Sequence, residues 1–440
     1  MYDKLLKTKS DQYKTSRIMY ILEAAIEYFF SIAVGTVYLA KLTAYIGMTD
    51  ALTGILSAFV SLGCGFQLIA IFLSNKRPVK RWVTLLHVIS QTLFASIYLV
   101  PIVPISRTIK TILFVVMLLL AHIIHNIINS PKINWFMSLV EDDKRGKFTA
   151  NKEIVSLVSG IAFSYGLGFV IDYFEKIGNL RLAFIICGIG LLVLMGLHTI
   201  TLITSKEKEF EPTEKVSVSG TIKGLLQNKG VLKITIVSVL WSLASYITIS
   251  FTGTYQAKEL AFTTTYSSII IMVGCFVRAL FSFPFGKFAD KFSFRSLLNV
   301  CYIIEAGAFA INIFTNPSNG GWLYFVFYVL YCVGMAGINS ATINLIYDYV
   351  EYDQRMGALA IQQTCAGLAG FLITLAISPM ITYIQGKGNV IFGLNLYAQQ
   401  VLSLLSFVIV VVALIYTNTV IKKLKKAKKT SCETTEQEEI

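Results

Sequence analysis

Apolar runs of about 20 residues recur along the chain and are separated by short polar segments. A helix of that length crosses a hydrocarbon core about 30 Å thick. Lipid offers no hydrogen-bond partners to backbone N–H and C=O groups, and an α-helix satisfies these groups internally. Each apolar run is therefore expected to form an α-helix. The pattern therefore predicts twelve transmembrane helices, called spans 1 to 12 below. They cover residues 18–40, 51–73, 82–104, 109–131, 154–172, 182–204, 233–254, 266–286, 296–315, 322–346, 358–383 and 395–420.

The amino-acid composition agrees with this pattern. Of the 440 residues, 55% are hydrophobic and 14% are charged, whereas soluble domains average about 25% charged residues. This excludes the soluble globular classes and indicates an all-α membrane protein. The first apolar run is too long for a cleavable signal peptide and contains Glu23 and Glu27. The seven cysteines have no paired spacing that would indicate a disulfide or a metal site.

Lysines and arginines concentrate in alternate loops, as expected when they set the orientation of a membrane protein. They are dense in residues 4–17, in 76–81 and in the tail 422–429, which all lie on one side if the spans are correct. The positive-inside rule places that side, and with it both termini, in the cytoplasm. The same assignment puts Lys132 in a cytoplasmic loop after span 4. The net charge of +13 is then explained by orientation and by contact with anionic lipid, and no nucleic-acid partner is expected.

The two halves of the chain match each other at an offset of about 210 residues. Residues 129–134 (Asn-Ser-Pro-Lys-Ile-Asn) lie over residues 339–344 (Asn-Ser-Ala-Thr-Ile-Asn), and residues 140–145 lie over 350–355. Because the repeat covers six spans, matched segments have the same sidedness, which is typical of parallel repeats related by an axis along the membrane normal. We therefore predict two pseudo-symmetric six-helix bundles.

The domain boundaries follow from the repeat and from one long polar interruption. We predict an amino-terminal six-helix bundle over residues 1–204, a cytoplasmic linker over 205–232, a carboxy-terminal six-helix bundle over 233–421 and a charged cytoplasmic tail over 422–440. The linker is rich in Glu and Lys and cannot bury a core of its own.

One loop motif resembles a known family. Gly286 is followed four residues later by Asp290 and then by Lys291 and Arg295, between spans 8 and 9. With the twelve spans and the duplication, this pattern resembles the major facilitator superfamily over nearly the whole chain. Residues 179–184 also look like the start of the sixth helix of that family. The resemblance implies two bundles that rock against each other and give alternating access to a site lined by spans 1, 4, 7 and 10.

A weaker resemblance is to the glycoside-pentoside-hexuronide/cation symporters, through residues 135–140 and 348–352. Those proteins carry membrane-embedded aspartates on their second helix. Span 2 of this chain has Thr53, Ser57, Ser61 and Gln67 in that region. Sodium coupling by that route is therefore not expected.

Charged residues inside the spans are the first candidates for function, because an unpaired charge in a membrane is costly. Glu23 and Glu27 lie one turn apart on span 1, and Glu27 lies about 15 Å into the helix at 1.5 Å per residue. We predict that they carry the coupling proton. Arg278 in span 8 needs an anionic partner, either a substrate carboxylate or an acid such as Glu27 or Glu305. Glu305 in span 9 is expected to form a structural ion pair.

Polar and aromatic stripes on spans 4, 7 and 10, together with Arg278 of span 8, predict the substrate site. Side chains of this kind suit a sugar or another polar organic molecule, although helix packing also accounts for aromatic stripes. The predicted substrate-binding residues are His122, His125, Asn126, Asn129, Trp241, Ser245, Arg278, Tyr331 and Asn339. The pair His122 and His125 lacks a third ligand, so cavity lining is preferred to a metal site. His87 and His198 are interpreted as isolated structural residues.

Charges at the cytoplasmic ends of the spans suggest an ion-pair gate. Exposed pairs are worth only about 0–1 kcal/mol each, which suits contacts that must open and close. The alternative is that they are ordinary loop charges. The predicted gate consists of Asp290, Lys291, Arg295, Asp348, Glu351, Asp353, Arg355, Lys76, Arg77, Glu141, Asp143 and Arg145.

The functional hypothesis is a secondary transporter in a cell membrane, such as the bacterial inner membrane. It moves a small polar organic solute, a sugar or glycoside or an organic anion, by proton-coupled symport. No nucleotide-binding loop is present, and no cofactor or metal is expected. The expected partners are the solute, H⁺ or another coupling ion and membrane lipids, with the chain as a monomer. Alternatives are proton-coupled multidrug efflux, a membrane-embedded lipid-modifying enzyme and a non-transporting sensor.

Overall fold

The computed structural model describes residues 12–67, 78–140, 145–208, 228–350, 355–391 and 393–424. Within these residues the chain is almost entirely helical, and the sole β-structure among them is a pair of two-residue strands. The helices of the first part are α1 (Lys14–Ala33), α2 (Thr36–Ile46), α3 (Asp50–Ser57), α4 (Phe59–Cys64), α5 (Val79–Ser96), α6 (Arg107–Met137), α7 (Arg145–Lys176) and α8 (Leu180–Thr204).

The second part is built in the same way. Its longer elements are α9 (Lys229–Ile249), α10 (Thr264–Lys291), α11 (Phe294–Ile313), α12 (Gly320–Tyr349), α13 (Arg355–Gly386) and α14 (Ala398–Thr419). A helical turn at Thr252–Thr254 and a π-helical turn at Tyr255–Glu259 join α9 to α10. Strands β1 (Val390–Ile391) and β2 (Leu394–Asn395) pair antiparallel before α14.

Local sequence signals explain several helix ends. Thr49, Ser106 and Asn179 each precede a helix, and each side chain accepts a hydrogen bond from a backbone N–H in the first turn. Gly47 ends α2 with φ +85°, a left-handed conformation that glycine adopts without strain.

Among the described residues, nine helices are long and apolar enough to cross a membrane, and ten if the bent pair α1 and α2 is one span. The chain is a multi-pass membrane protein. The break between α1 and α2 bends this pair by 45°. Spans 2 and 3 of the prediction correspond to the shorter apolar stretch Asp50–Cys64 and to the 18-residue helix α5. The total of twelve and the cytoplasmic location of the termini stay predictions.

One predicted helix end is wrong, and the error changes where Lys132 lies. Span 4 was expected to end at Pro131, with Lys132 in a cytoplasmic loop, but α6 continues through both residues to Met137. Lys132 is buried, because two carboxylates of α1 compensate its charge inside the helical bundle.

The chain separates into two compact units by contact density. The first contains the described residues of 1–214 together with Ile249–Val273 and Thr374–Gly388. Its core includes a cluster in which Tyr20 stacks on Phe136 at 4.4 Å between ring centroids.

The second unit contains the described residues of 215–248, 274–373 and 389–440. Here α11 packs against both α12 and α14. The predicted linker lies largely at residues 209–227, outside the described residues, so the predicted domain boundaries stay predictions.

Candidate functional site

A cluster of buried ionisable side chains lies in the first unit, where α1, α5, α6 and α8 meet. We call it the buried acid cluster and define it as Glu23 and Glu27 of α1, His87 of α5, Lys132 of α6 and His198 of α8. Both predicted proton-coupling acids belong to it. Glu23 and His198 are completely buried, and Lys132 is 1% exposed.

The Lys132 ammonium holds the cluster together. Its Nζ lies 2.7 Å from Glu23 Oε1 and also donates to Glu27 Oε1. Glu23 and Glu27 are one turn apart on α1, so one ammonium reaches both carboxylates. Arg278 was considered as a partner of Glu27, whereas the structure pairs Glu27 with Lys132 and places His125 Nδ1 3.5 Å from it.

Two histidines extend the cluster away from Lys132. His198 Nε2 lies 3.2 Å from Glu23 Oε1, and His198 Nδ1 lies 3.1 Å from His87 Nε2. His198 therefore links an acid to a second imidazole. The prediction that His87 and His198 are isolated was wrong, because α5 and α8 place them in contact. Nothing in the sequence shows this contact.

The charges of the cluster do not balance when both imidazoles are neutral. Two carboxylates and one ammonium sum to one negative charge in a buried site, where an uncompensated charge is costly. One additional proton makes the cluster neutral. Glu27 is 22% exposed and His125 is 24% exposed, so these two side chains are more accessible than Glu23, His198 and Lys132.

The cluster also contains a possible metal-ligand set. Glu23, His87 and His198 offer ligand atoms that lie within 4.8 Å of one another. However, Lys132 already lies against the Glu23 oxygen that faces His198, and both ring nitrogens of His198 have partners. These residues fit a hydrogen-bonded relay with its own cation better than a metal centre.

The predicted stripe on α6 divides into two environments. Asn126 is buried, donates to the His122 carbonyl at 2.9 Å and accepts from Gln67 at 3.3 Å. His122 is buried and packs edge-on against a phenylalanine of α5. These two residues have packing contacts, whereas His125 lies beside Glu27 and Asn129 is half-buried.

The same stripe contained the signal for the missed lysine. Lys132 lies seven residues after His125 and three after Asn129, and positions with this spacing share one face of a helix. A basic residue next to a span end was instead assigned to the loop by the positive-inside rule. Helical periodicity was the better guide at this position.

In the second unit the structure brings together three predicted substrate-binding residues. Ser245 Oγ and the Tyr331 hydroxyl are 2.8 Å apart, which joins α9 to α12. The ring of Trp241 stacks near that of Tyr331, with 6.3 Å between centroids. Trp241 and Tyr331 are each 8% exposed. The group combines flat aromatic faces with hydroxyl groups, as the sequence predicted.

Arg278 lies near this group on α10. Gly274, one turn earlier, is so close to α12 that an added Cβ would lie 2.6 Å from the Tyr328 ring. Residues one turn apart share a face, so Arg278 lies on the side of α10 that faces α12. Its side chain is exposed, and its charge acts on Tyr331. Asn339, the last predicted substrate-binding residue, is exposed on α12.

The predicted gate is described only in part. Asp290 and Lys291 are exposed, and Arg295 is half-buried. Arg355 donates to the carbonyls of Tyr347 and Val350 at 3.1 and 3.2 Å. Asp348 lies in the last turn of α12, and Arg145 is the first residue of α7. Outside the described residues lie Lys76, Arg77, Glu141, Asp143, Glu351 and Asp353. The gate stays a prediction.

A polar network that sequence reasoning missed lies in the first unit. Asp50, 7% exposed, binds the Lys258 ammonium and accepts from Gln385 Nε2 at 2.8 Å. Gln385 also donates to Glu259 at 3.1 Å. The four residues come from distant parts of the sequence, so no local pattern indicates that they meet.

Two further contacts of the first unit join α10 to earlier helices. The Asp172 carboxylate accepts from the backbone N–H groups of Thr264 and Thr265 at 2.9 and 2.7 Å, so it caps the start of α10. The Tyr38 hydroxyl lies 2.6 Å from Ser268 Oγ and donates to the Ser164 carbonyl at 2.7 Å. These bonds fix the first turns of α10 within this unit.

A sequence model described as the Major Facilitator Superfamily matches residues 18–374 and, in a second match, residues 276–436. No curated protein shows a significant sequence match to the chain.

Several solved structures share the fold. The nucleoside transporter NupG is similar with a TM-score of 0.67 at 15% identity, over 93% of this chain and 99% of that chain. A D-xylose-proton symporter has a TM-score of 0.69 at 12% identity, over 91% and 97%. A bacterial homolog of the human lysosomal transporter Spinster, inward-facing and unoccupied, has a TM-score of 0.69 at 14% identity, over 96% and 100%. At such low identities the similarity shows the fold alone.

Proposed function

Because the chain belongs to the major facilitator superfamily, we propose that it is a proton-coupled secondary transporter that moves a small polar organic solute by alternating access. The fold and family are those of transporters and not of enzymes. We place it in a cell membrane, such as the bacterial inner membrane, with a sugar, a nucleoside or glycoside, or an organic anion as the solute.

The buried acid cluster carries the proposal of proton coupling. It holds two carboxylates against one ammonium, so binding one proton changes its net charge from minus one to zero. A site whose neutral form is favoured by burial binds a proton readily and releases it when water reaches it. Glu27 is the residue through which this exchange occurs, because it is half-buried while Glu23 and Lys132 are fully enclosed.

His198 and His87 support the cluster. A neutral imidazole donates with one ring nitrogen and accepts with the other, so His198 can relay a change at Glu23 to His87. In the proposed cycle, the hydrogen bonds of His198 rearrange when Glu23 gains or loses a proton, so that Glu23 stays buried in both states. His87 Nδ1 is buried without a hydrogen-bond partner among the described residues, so the chain of hydrogen bonds ends at this residue.

The aromatic and hydroxyl side chains of the second unit support a polar organic solute. Trp241 and Tyr331 offer ring faces to a sugar or a base, and the paired Ser245 and Tyr331 hydroxyls offer a donor and an acceptor. Arg278 suits a solute that carries a carboxylate or a phosphate. The neighbouring folds named above are described as carrying nucleosides or, with protons, xylose, which agrees with this chemistry.

The proposal is tested in proteoliposomes. Purified protein is first screened by thermal shift against nucleosides, pentoses, glycosides and organic acids, with uridine and D-xylose among the first probes. The stabilising compound is then supplied in labelled form to vesicles with an alkaline interior. We expect accumulation that stops when the proton gradient is dissipated.

The variant Glu27→Gln separates coupling from transport. With glutamine at this position Glu23 and Lys132 balance each other, so the cluster is held in its neutral form. We expect solute exchange across the membrane to continue while proton-driven accumulation is lost. Glu175→Gln is the matched control, because Glu175 pairs with Lys41 at an exposed site. Full accumulation by the Glu27→Gln variant would show that the proton binds elsewhere.

A further inference from the structure

A second buried acid, Glu305 on α11, lies in the second unit and has no place in the buried acid cluster. Its side chain is completely buried, and among the described residues neither carboxyl oxygen has a hydrogen-bond partner. The structural ion pair expected for it is therefore not formed. A carboxyl group kept in this position within a membrane needs another explanation.

The carboxyl group fits a notch in the neighbouring helix. On α12, a Cβ added at Gly334 would lie 2.4 Å from Glu305 Oε1 and 2.7 Å from its carboxyl carbon. Any residue other than glycine at this position would have to displace the carboxyl group. The close packing of α11 against α12 thus depends on Gly334 and places the acid group between the two helices.

The titratable groups around Glu305 offer no positive charge. Cys301 and Tyr302 lie on its own helix, and Tyr331 and Cys332 lie on α12, all within range of its charge. Among charged residues α12 contains only Asp348, near its end, and α14 contains none.

The basic residues of the neighbouring helices form no hydrogen bond with Glu305 among the described residues. Lys229 and Lys233 lie in the first turns of α9, and Arg295 lies ten residues before Glu305 on α11. Arg278, Lys287 and Lys291 lie on α10, and none of them donates to Glu305, whose carboxyl oxygens have no hydrogen-bond partner among the described residues. An ionised Glu305 would therefore be a buried charge without a counter-ion, which proteins avoid by protonation.

We propose that Glu305 is a second proton-binding site, located in the opposite sequence half from the buried acid cluster, and that it holds a proton in this conformation. The negative charge of the buried acids is compensated differently at the two sites. Lys132 compensates Glu23 and Glu27, whereas only a proton compensates Glu305. Ionisation of Glu305 would place a negative charge within range of Tyr331, which bonds Ser245 and stacks on Trp241. Proton release from Glu305 is thus positioned to alter the predicted solute-binding group.

Infrared spectroscopy tests the protonation state directly and without any knowledge of the solute. A protonated carboxyl group has a C=O stretching band that a carboxylate lacks. The spectrum of the wild-type protein minus that of the Glu305→Gln variant, recorded from mildly acidic to mildly alkaline pH, should contain this band at every pH. A carboxylate signal in its place, or no acid band, would overturn the proposal.

Two glycine variants provide an independent measurement in which Glu305 is retained. Gly334→Ala should displace the carboxyl group and shift the acid band. Gly307→Ala is the matched control on α11, because an added Cβ there meets nothing within 4 Å, and it should leave the band unchanged. An unshifted band in Gly334→Ala would show that the acid signal does not come from a group in this notch. This measurement remains informative if Glu305→Gln does not fold.

The link to transport rests on the proposed function and is tested separately. In the proteoliposome assay, Glu305→Gln should reduce proton-driven accumulation several-fold while exchange continues, as for Glu27→Gln. If the acid band is present but accumulation is unchanged, Glu305 is a static neutral acid and its role in coupling is refuted. If the wild-type protein shows no proton dependence, the proposed function fails while the infrared result stands.

Discussion

Lys132 provides the sharpest test of the buried acid cluster. Replacing it with methionine keeps the volume of the side chain and removes the ammonium that binds Glu23 and Glu27. The cluster then has a net charge of minus two, and the completely buried Glu23 keeps only His198 as a partner. Removing one member of a buried ion pair typically costs about 3–5 kcal/mol, because the other charge is left uncompensated. We expect a loss of this size in the free energy of unfolding.

The control for this prediction is Lys41→Met. Lys41 binds Glu175 at 2.7 Å, but Glu175 is 44% exposed and becomes hydrated when its partner is removed. An exposed pair of this type is worth about 0–1 kcal/mol. The two variants therefore remove the same group and differ in whether the remaining acid can reach water.

The assay is an unfolding titration with sodium dodecyl sulfate in mixed micelles, with intrinsic fluorescence as the signal. The double variant Lys132→Met/Glu23→Gln restores the net charge of the cluster to minus one and should recover part of the lost stability. If Lys132→Met is no less stable than Lys41→Met, or if the double variant is less stable than the single one, the charge account of the cluster is wrong.

Two further predictions concern the first unit. Gly54→Ala should lower the free energy of unfolding by about 1–3 kcal/mol through overpacking, because its new Cβ would lie within 3 Å of the Phe251 ring. Thermal unfolding measures this loss. Gly166→Ala is the control, because an added Cβ there meets nothing within 4 Å. Asp172→Ala removes the carboxylate that caps α10 and should cost about 0.5–2 kcal/mol; hydrogen exchange at Thr264 should rise, and unchanged exchange there would argue against the cap.

Sequence periodicity predicted the positions of the membrane helices well, because the hydrophobic requirement of a span is local. Each of the nine long apolar helices overlaps one predicted span over most of that span's length. It also identified Glu23 and Glu27, since a charge within an apolar run is visible without any knowledge of the fold. Helical spacing also placed Trp241 and Ser245 on one face, since they are one turn apart. In the structure both contact Tyr331.

The partners of these residues could not be predicted, because pairing is decided by tertiary packing. Lys132 was assigned to a loop, since a basic residue at the end of an apolar run is usually an orientation signal. His198 is 175 residues from Glu23 along the chain, and Gln385 is 335 residues from Asp50. Contacts over such separations have no local signature in a single sequence.

The repeat allows matched positions of the two sequence halves to be compared. At the offset of 210 residues Lys132 lies over Thr342. The Thr342 hydroxyl donates to the Ile338 carbonyl of its own helix at 2.8 Å, so the second copy has no buried ammonium at the matching position. Glu305 of that half has no hydrogen-bond partner among the described residues, whereas Glu23 is bound by Lys132. It follows that replacing the buried lysine should destabilise the first half, where an ammonium compensates the buried acids, whereas in the second half Glu305 stays neutral only through a bound proton.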